Sequence, residues 1–455
     1  MFQLCIPHWI STQSYLLNST NSLISIIVDD RLGIHYVLKG ETSRLWKIIY
    51  STLSPEKIIE YAQQNGLYNL LQDFLGELIS KQIIKVSGVN INTPIKSFKY
   101  LTKGVSTKSE SFIRYRKTLD RVLAKNNYLE TIHLELTYKC NLKCKHCFNP
   151  KDENNHKITF EEAKKIIDEA YDEGLLYVSL SGGECTLNKD FLKIAKYIKS
   201  KFIGVEILSN LQLLYDDNGL FNEIVNLYPQ TIYTSLYSMN PNIHDNITGI
   251  KGSQFKTISV LKRLREKNIN VWINYVPTAF GSCYDYEEIL KFADKYGIKS
   301  SFSSGYIVNS KNGNICAKIS EADLQNLYIK YFDLFAGSMK FEKDSHRICA
   351  AGSVRLCISP DLNIQPCSGF PCILGNYKTT TIKKLRDTIV PEFQRKFIRK
   401  NLKGCFEHDY CQYCTFCPPC GDFTENDYLK KSELLCQYAK AYYNAAMYHK
   451  NMHFY

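Results

Sequence analysis

The stretch "CNLKCKHC", residues 140–147, sets Cys140, Cys144 and Cys147 at C-x3-C-x2-C spacing. Three thiolates on one short loop can hold three irons of a [4Fe–4S] cube and leave the fourth iron open to an outside ligand. The competing chemistry is zinc, completed by His146 or by a remote cysteine, because a structural zinc site takes four ligands. Further along, "SGGEC" places Gly182, Gly183 and Glu184 together. Glycines let the backbone approach a ligand closely, and a carboxylate can neutralise an ammonium. "LSN" offers Ser209 and Asn210, and "TSLYS" offers Ser235. Small polar residues of this kind also serve as plain strand-end caps.

A second concentration lies near the C-terminus. Of the 17 cysteines, Cys349, Cys367, Cys405, Cys411, Cys414, Cys417, Cys420 and Cys436 fall in the last quarter of the chain. In a reducing compartment, C-x2-C runs mean a metal or iron–sulfur site more often than a disulfide. Such repeats bind zinc equally well in isolation. Cys5, Cys185, Cys283, Cys316, Cys357 and Cys372 are scattered and read as small buried apolar residues.

The elements that must position these residues are periodic. From about residue 128 to 305, six strands alternate with five helices, which implies a parallel sheet, curled or open. In "TIHLELT" Ile132, Leu134 and Leu136 take one face, and His133, Glu135 and Thr137 the other. "TFEEAKKIIDEAYDEG" reads as a helix opened by a Thr159–Glu162 capping box and ended by Gly174. Chemistry in such folds sits at the carboxyl ends of strands, and "CNLKCKHC" directly follows the first.

Residues 20–88 read as two strands, three helices and a short last strand, a winged-helix-like α+β unit. Ser54 is the expected N-cap and Pro55 the first residue of its second helix. A basic stretch ending in a helix near "RYRKTLDRVLAKN" connects this unit to the repeats. Residues 310–345 hold one helix, and beyond 346 the chain is loop-rich, with a hairpin signal at "SPDLN". A segment this poor in apolar runs needs staples, which metal clusters would supply.

Lys and Arg outnumber Asp and Glu by 57 to 45, a net charge of +12. The excess reads first as composition bias and second as a surface suited to an acidic partner such as a peptide. No basic cluster resembles a nucleic-acid arm. The N-terminus lacks the features of a signal peptide, and no apolar run is long enough to span a bilayer, so a cytoplasmic protein without membrane or nucleic-acid partners is expected.

C-x3-C-x2-C after a first strand, with "CNLKCKHCFN" as its local text and "SGGEC" after the second, resembles the radical S-adenosylmethionine (SAM) enzymes. The resemblance implies a partial (β/α)6 barrel in which Cys140, Cys144 and Cys147 ligate a [4Fe–4S] cluster. SAM would chelate the open iron through its amino and carboxylate groups. Gly182, Gly183 and Glu184 look like the family's GGEP motif, which holds the methionine amino group, with Cys185 in place of proline. Ser209, Asn210 and Ser235 look like its contacts to the SAM ribose or carboxylate, and "HDNITGIKGSQF" (244–255) resembles the loop after strand four in peptide-modifying members.

The C-terminal cysteines resemble, in their order, the SPASM extension of these enzymes, which binds auxiliary clusters. Leu362 stands where that pattern has glycine, no C-x3-C follows Cys420, and the sequence does not divide the eight ligands between two clusters. Residues 20–88 resemble a PqqD-like element, which recognises the leader of a ribosomally made precursor peptide by strand addition. The implied organisation is a leader-recognition domain at 1–100, a linker at 101–127, a radical SAM core at 128–308, a bridging region at 309–345 and a SPASM-type iron–sulfur domain at 346–455.

The expected activity is reductive cleavage of SAM to a 5′-deoxyadenosyl radical. That radical abstracts a hydrogen from a precursor peptide and leads to an intrapeptide crosslink, a thioether first and a carbon–carbon bond next. Formylglycine formation of the sulfatase-maturase type and epimerisation are the enzymatic alternatives; an iron–sulfur electron carrier is the non-enzymatic one. The partners implied are a precursor peptide with its leader and an electron donor such as flavodoxin or ferredoxin.

Overall fold

The structure, a computed structural model, describes residues 3–18, 20–87, 99–101, 104–106, 111–149, 156–281, 285–302, 319–332, 348–405, 407–414, 416–423 and 427–452. Cys283, Cys316 and most of the expected bridging region lie outside the described residues.

The chain opens with β1 (Gln3–Cys5), β2 (Ile10–Leu17), β3 (Ser22–Asp29) and β4 (Ile34–Lys39). Helices α1 (Glu41–Thr52), α2 (Pro55–Gln64) and α3 (Tyr68–Ser80) follow, then β5 (Lys85–Ser87), β6 (Val105–Ser106) and α4 (Ser111–Lys125). The β3–β4 hairpin and three helices match the sequence reading, and Ser54 caps α2 through the Lys57 amide with Pro55 at its first position. Strands β1 and β2 were not anticipated. The sheet runs β2-β3-β4-β6, while β1 pairs separately with β5. Strand β2 lacks the apolar alternation of a half-buried strand because its polar side chains are themselves buried and paired. Ser11 Oγ donates to Asp30 at 2.5 Å, Thr12 Oγ1 accepts from the Trp46 indole at 2.7 Å, and Gln13 Nε2 donates to the Tyr171 carbonyl at 3.3 Å. Among the described residues, strand β6 pairs with the outer edge of β4 at Ile34 and His35. The segment leading to it is held by buried Glu77 of α3, whose carboxylate accepts the amides of Tyr100 and Leu101 at 2.9 and 2.7 Å.

The repeats form β7 (Thr131–Glu135), α5 (Phe160–Asp172), β8 (Tyr177–Ser181), α6 (Phe191–Ser200) and β9 (Gly204–Leu208). They continue as α7 (Gln212–Asp216), α8 (Asn218–Leu227), β10 (Thr231–Ser235), α9 (Pro241–Thr248) and α10 (Ser253–Glu266). The last turn of the repeat is β11 (Val271–Tyr275), α11 (Tyr286–Tyr296) and β12 (Lys299–Phe302). Strands β7 to β12 are neighbours in chain order and all parallel. The capping box at Thr159 and Glu162 forms as read. Ile132, Leu134, Val178, Leu180, Val205 and Ile207 belong to the continuous apolar core. The alternate positions are polar: His133, Ser179 and Glu206 stand in one row across β7, β8 and β9. Ser179 and Tyr233 both donate to Glu206. Alternation is unusual in a parallel sheet covered on both faces, and here it marks a second face lined with polar groups, of which Ser179 and Tyr233 meet at Glu206.

Helix α12 (Glu321–Lys330) packs through Leu324, Leu327 and Tyr328 against the last helix, α14 (Glu433–Met452). Between them come β13 (Arg355–Ile358), β14 (Asn363–Gln365), β15 (Gly375–Asn376) and α13 (Ile382–Lys396). Strand β13 lies parallel to β7 and extends the six strands into a nine-stranded sheet. The β13–β14 turn is Pro360–Leu362, with the Leu362 amide donating to the Ser359 carbonyl at 2.8 Å. Leu362 has φ +63°. That is the bulge position of a three-residue hairpin, where glycine is the ordinary residue. The leucine is tolerated because its side chain is buried in the core.

No described helix is long and apolar enough to cross a membrane. A buried ion pair joins the hydrogen bonds that tie the N-terminal sheet to the repeats. Lys199 Nζ of α6 donates to Asp30 at 2.9 Å, with side chains 5% and 0% exposed. Burial pushes the Asp30 carboxyl up, and the Lys199 charge and the Ser11 hydroxyl oppose that. Lys199→Met strands this carboxylate and is expected to cost about 3–5 kcal/mol in urea unfolding. Adding Asp30→Asn should recover a large part of the loss.

Candidate active site

The loop bearing Cys140, Cys144 and Cys147 leaves the carboxyl end of β7 and is gripped from two sides. On one side is the loop after β8. The Gly183 amide donates to the Thr137 carbonyl at 2.7 Å, and the Glu184 amide to Lys139 at 2.9 Å. A Cβ on Gly182 would stand 2.2 Å from the Thr137 oxygen, and one on Gly183 2.3 Å from that of Tyr138. Gly182 also has φ +132°. Only glycines allow this contact. On the other side, the Lys143 and Lys145 amides donate to Thr248 and Ile247 of α9 at 2.8 and 2.9 Å. Asp245 holds that turn by accepting from the Gly252 and Gln254 amides and the Ser253 hydroxyl.

Cys140 is exposed and the other two thiols are half-buried. Partial desolvation raises all three thiol pKa values, that of Cys144 to about 12 and that of Cys140, whose residue still reaches the surface, to about 11. Without a bound cation the protonated form is favoured, and a metal is what would make thiolates here. Asn210 Nδ2 donates to Cys140 Sγ at 3.6 Å, as does the Leu142 amide at 3.4 Å. Beneath Cys144 lies a buried aromatic group. The Tyr237 ring makes edge contact with His146 at 4.9 Å, and its amide donates to His244 Nδ1 at 3.3 Å.

Glu184 is 1% exposed and joins the strand ends. Its carboxylate accepts from the Ser209 hydroxyl at 2.9 Å, the Asn210 amide at 2.7 Å and the Thr186 hydroxyl at 2.7 Å. Burial raises its pKa, against which these donors work. Five of the six expected cofactor residues, Gly182, Gly183, Glu184, Ser209 and Asn210, therefore form one connected group. Ser235, at the end of β10, belongs instead with Tyr237 under Cys144. Cys185 is fully buried, with its thiol toward the Leu208 carbonyl at 3.4 Å. Sequence reasoning did not name Tyr237, His244, Asp245 and Thr248 as supports; "TSLYS" and the stretch 244–255 were the available signals.

The eight C-terminal cysteines fall into two sets. Cys349, Cys367, Cys417 and Cys420 sit near enough to perturb one another's charge. Cys405, Cys411, Cys414 and Cys436 line a single cavity. The first set adjoins the sheet: Ser368, next to Cys367, donates to Glu135 of β7 at 2.8 Å. Of the scattered cysteines, Cys357 is buried as expected, Cys372 is half-buried, and Cys5 is exposed, contrary to expectation, because it lies on the outer face of the short β1.

Residues 134–293 match the family model described as the Radical SAM superfamily. These residues form a radical SAM domain. It makes the chain an enzyme, one whose domain works with a [4Fe–4S] cluster and SAM. The chain is 26% identical over 331 residues to the antilisterial bacteriocin subtilosin biosynthesis protein AlbA of Bacillus subtilis, covering 67% of this chain and 70% of that one. It is 24% identical to an AdoMet-dependent heme synthase of Methanosarcina barkeri, covering 70% of this chain and 99% of that one. A solved structure, Streptococcus suis SuiB bound to precursor peptide SuiA, aligns with 95% of this chain and 100% of that one at a TM-score of 0.55 and 18% identity. That likeness establishes the fold: a radical SAM α/β core built on a parallel sheet, carrying an N-terminal unit.

The close contact at Gly183 is testable on the radical SAM domain directly. Gly183→Ala must push the cysteine loop away from β8. Alkylation of Cys140, Cys144 and Cys147 in the reduced, metal-free protein, followed by mass spectrometry, should be faster than in the parent.

Proposed function

We propose that this enzyme is a peptide maturase that installs an intrapeptide crosslink in a ribosomally made precursor, with a thioether as the first choice and a carbon–carbon bond next. The observation that carries the reading is the clamped cysteine loop. Three thiols are presented at the strand ends, with one group of residues (Gly182 to Glu184, Ser209, Asn210) fixed beside them. In this reading Cys140, Cys144 and Cys147 hold the cluster. The glycine loop and Glu184 receive the SAM amino group, and Ser209, Asn210 and Ser235 face its ribose and carboxylate. When bound, cluster and SAM supply a 5′-deoxyadenosyl radical that takes a hydrogen atom from the substrate. The residues of this chain orient SAM, hold the Glu184 carboxylate in place through its three donors, and shield the site with Tyr237 and His146.

The two C-terminal sets, Cys349/Cys367/Cys417/Cys420 and Cys405/Cys411/Cys414/Cys436, are assigned as ligands of two auxiliary [4Fe–4S] clusters. The first lies beside β7, next to the polar face of the sheet, where it suits a substrate thiolate or the electron released on crosslinking. The N-terminal unit is assigned to the leader, which would add as a strand beside the edge of its sheet and a helix. Supporting a peptide substrate are the biosynthetic role in the name of AlbA and the precursor bound to SuiB. The heme synthase shares a similar stretch of chain, so the core alone does not select the substrate. Formylglycine formation leaves the N-terminal unit without a role. An electron donor such as flavodoxin or ferredoxin and a cytoplasmic site complete the proposal.

Reconstituted protein should carry about twelve irons per chain, the total for three cubanes, and should release methionine and 5′-deoxyadenosine from SAM under dithionite. Cys144→Ala should abolish that release while keeping about eight irons. Zinc in place of iron, or SAM left intact by the parent protein, would sink the reading. A peptide encoded beside this gene should lose the mass of two hydrogens on treatment, and an unchanged mass with altered stereochemistry would favour epimerisation instead.

A further inference from the structure

A segment beyond α3 returns to the N-terminal unit and touches both α3 and β4. Its described residues are 99–101 and 104–106. On the helix side, buried Glu77 accepts the successive amides of Lys99, Tyr100 and Leu101. The Tyr100 ring meets Phe74 of the same helix edge-on at 6.0 Å. Leu101 is 1% exposed and belongs to the apolar core of the unit. On the sheet side, Val105 and Ser106 pair antiparallel with His35 and Ile34. Gly104 permits that approach, because a Cβ there would stand 2.3 Å from Ile34 Cγ2 and 2.8 Å from the Tyr36 ring. Most of this grip is on main chain. A carboxylate taking three consecutive amides and a strand edge taking a short ladder hold the backbone whatever its side chains. Glu77 is 3% exposed, and stripping it of its donors would leave a buried carboxylate unpaired. The segment is therefore best replaced by another chain that brings amides of its own.

We propose that this segment is an internal stand-in for the leader, which docks between α3 and the β4 edge by displacing it. The inference rests on the reading above, that the N-terminal unit receives a leader. It adds the surface, Glu77 together with Ile34 and His35, and the competitor that occupies it. A tethered competitor acts at an effective concentration of roughly millimolar, so the leader binds more weakly than the surface by itself would allow. The competitor also defines the leader's chemistry. The matching stretch carries an apolar residue in the place of Leu101 and a small residue three positions later, where Gly104 passes Ile34. Its other side chains are free to vary, since the main chain makes the remaining contacts.

The experiment uses the full chain and a fluorescein-labelled synthetic peptide with the sequence of residues 97–108. Tyr100→Pro and Val105→Pro together remove one amide from the Glu77 contact and one from the strand, and leave α3 and β4 untouched. By fluorescence anisotropy the doubly substituted protein should bind the peptide at least about tenfold more tightly than the parent, whose tethered segment competes. Adding Glu77→Ala should remove most of that gain. Leu101→Ala should give a smaller gain of the same sign, and it decides if the proline variant does not fold. No gain in the variants that fold overturns the proposal. A peptide encoded beside this gene supplies the second arm. It should displace the labelled peptide and speed hydrogen exchange at residues 99–101 and 105 of the parent. A peptide that the enzyme crosslinks yet that does neither overturns the proposal and leaves the maturase reading standing. A peptide left both unmodified and unbound defeats that reading, and this inference with it.

Discussion

Everything at the candidate site depends on two strand ends approaching more closely than side chains permit. The loop after β8 hydrogen-bonds to residues 137 and 139 with Gly182 and Gly183 pressed on their carbonyls. That contact sets where the cysteine loop begins, and the α9 turn sets where it passes Lys143 and Lys145. The loop is short and lacks regular structure of its own, so its geometry is borrowed from both sides. Glu184 then carries the arrangement onward to the end of β9 through Ser209 and Asn210.

Buried charge is handled consistently across the molecule. Asp30 is paired with Lys199 at the junction of the N-terminal sheet and α6. Arg386 of α13 is fully buried and donates to Glu173 and to the carbonyls of Ser353 and Asn127, tying the C-terminal region to the base of the sheet. Arg116 of α4 makes two 2.6 Å bonds to buried Glu130, just before β7. Asp30–Lys199 and Arg386–Glu173 join elements far apart in sequence, and Arg116–Glu130 fixes α4 to the start of β7. Breaking one leaves an uncompensated charge, so they hold the relative positions of the layers more than they add to net stability.

The sheet itself links the two kinds of cysteine site. Strand β13 adds to the free edge of β7, so the strand that launches the first cysteine loop also borders the hairpin between Cys349 and Cys367. Tyr138 donates to Asp361 at the hairpin tip at 3.1 Å, and Ser368 donates to Glu135. These contacts connect the two regions through the backbone of one strand.

The amino-acid sequence by itself determined what is local. C-x3-C-x2-C, the glycine pair and the Thr159 capping box each act within a few residues, and the strand–helix alternation follows from side-chain period alone. The tertiary structure alone decided what depends on distant partners. Strand β2 was illegible because Ser11, Thr12 and Gln13 are satisfied by Asp30, Trp46 and Tyr171, none of which is near in sequence. The pairing of β13 with β7 had no sequence signal, since parallel partners share no turn. Leu362 looked like a departure from pattern, yet its positive φ shows the turn intact with a leucine in the place of glycine. The division of eight cysteines into two sets likewise came from packing, because Cys417 and Cys414 are separated by only two residues and yet face different neighbours. Spacing specifies how many thiols a loop can offer; only the fold specifies which of them meet.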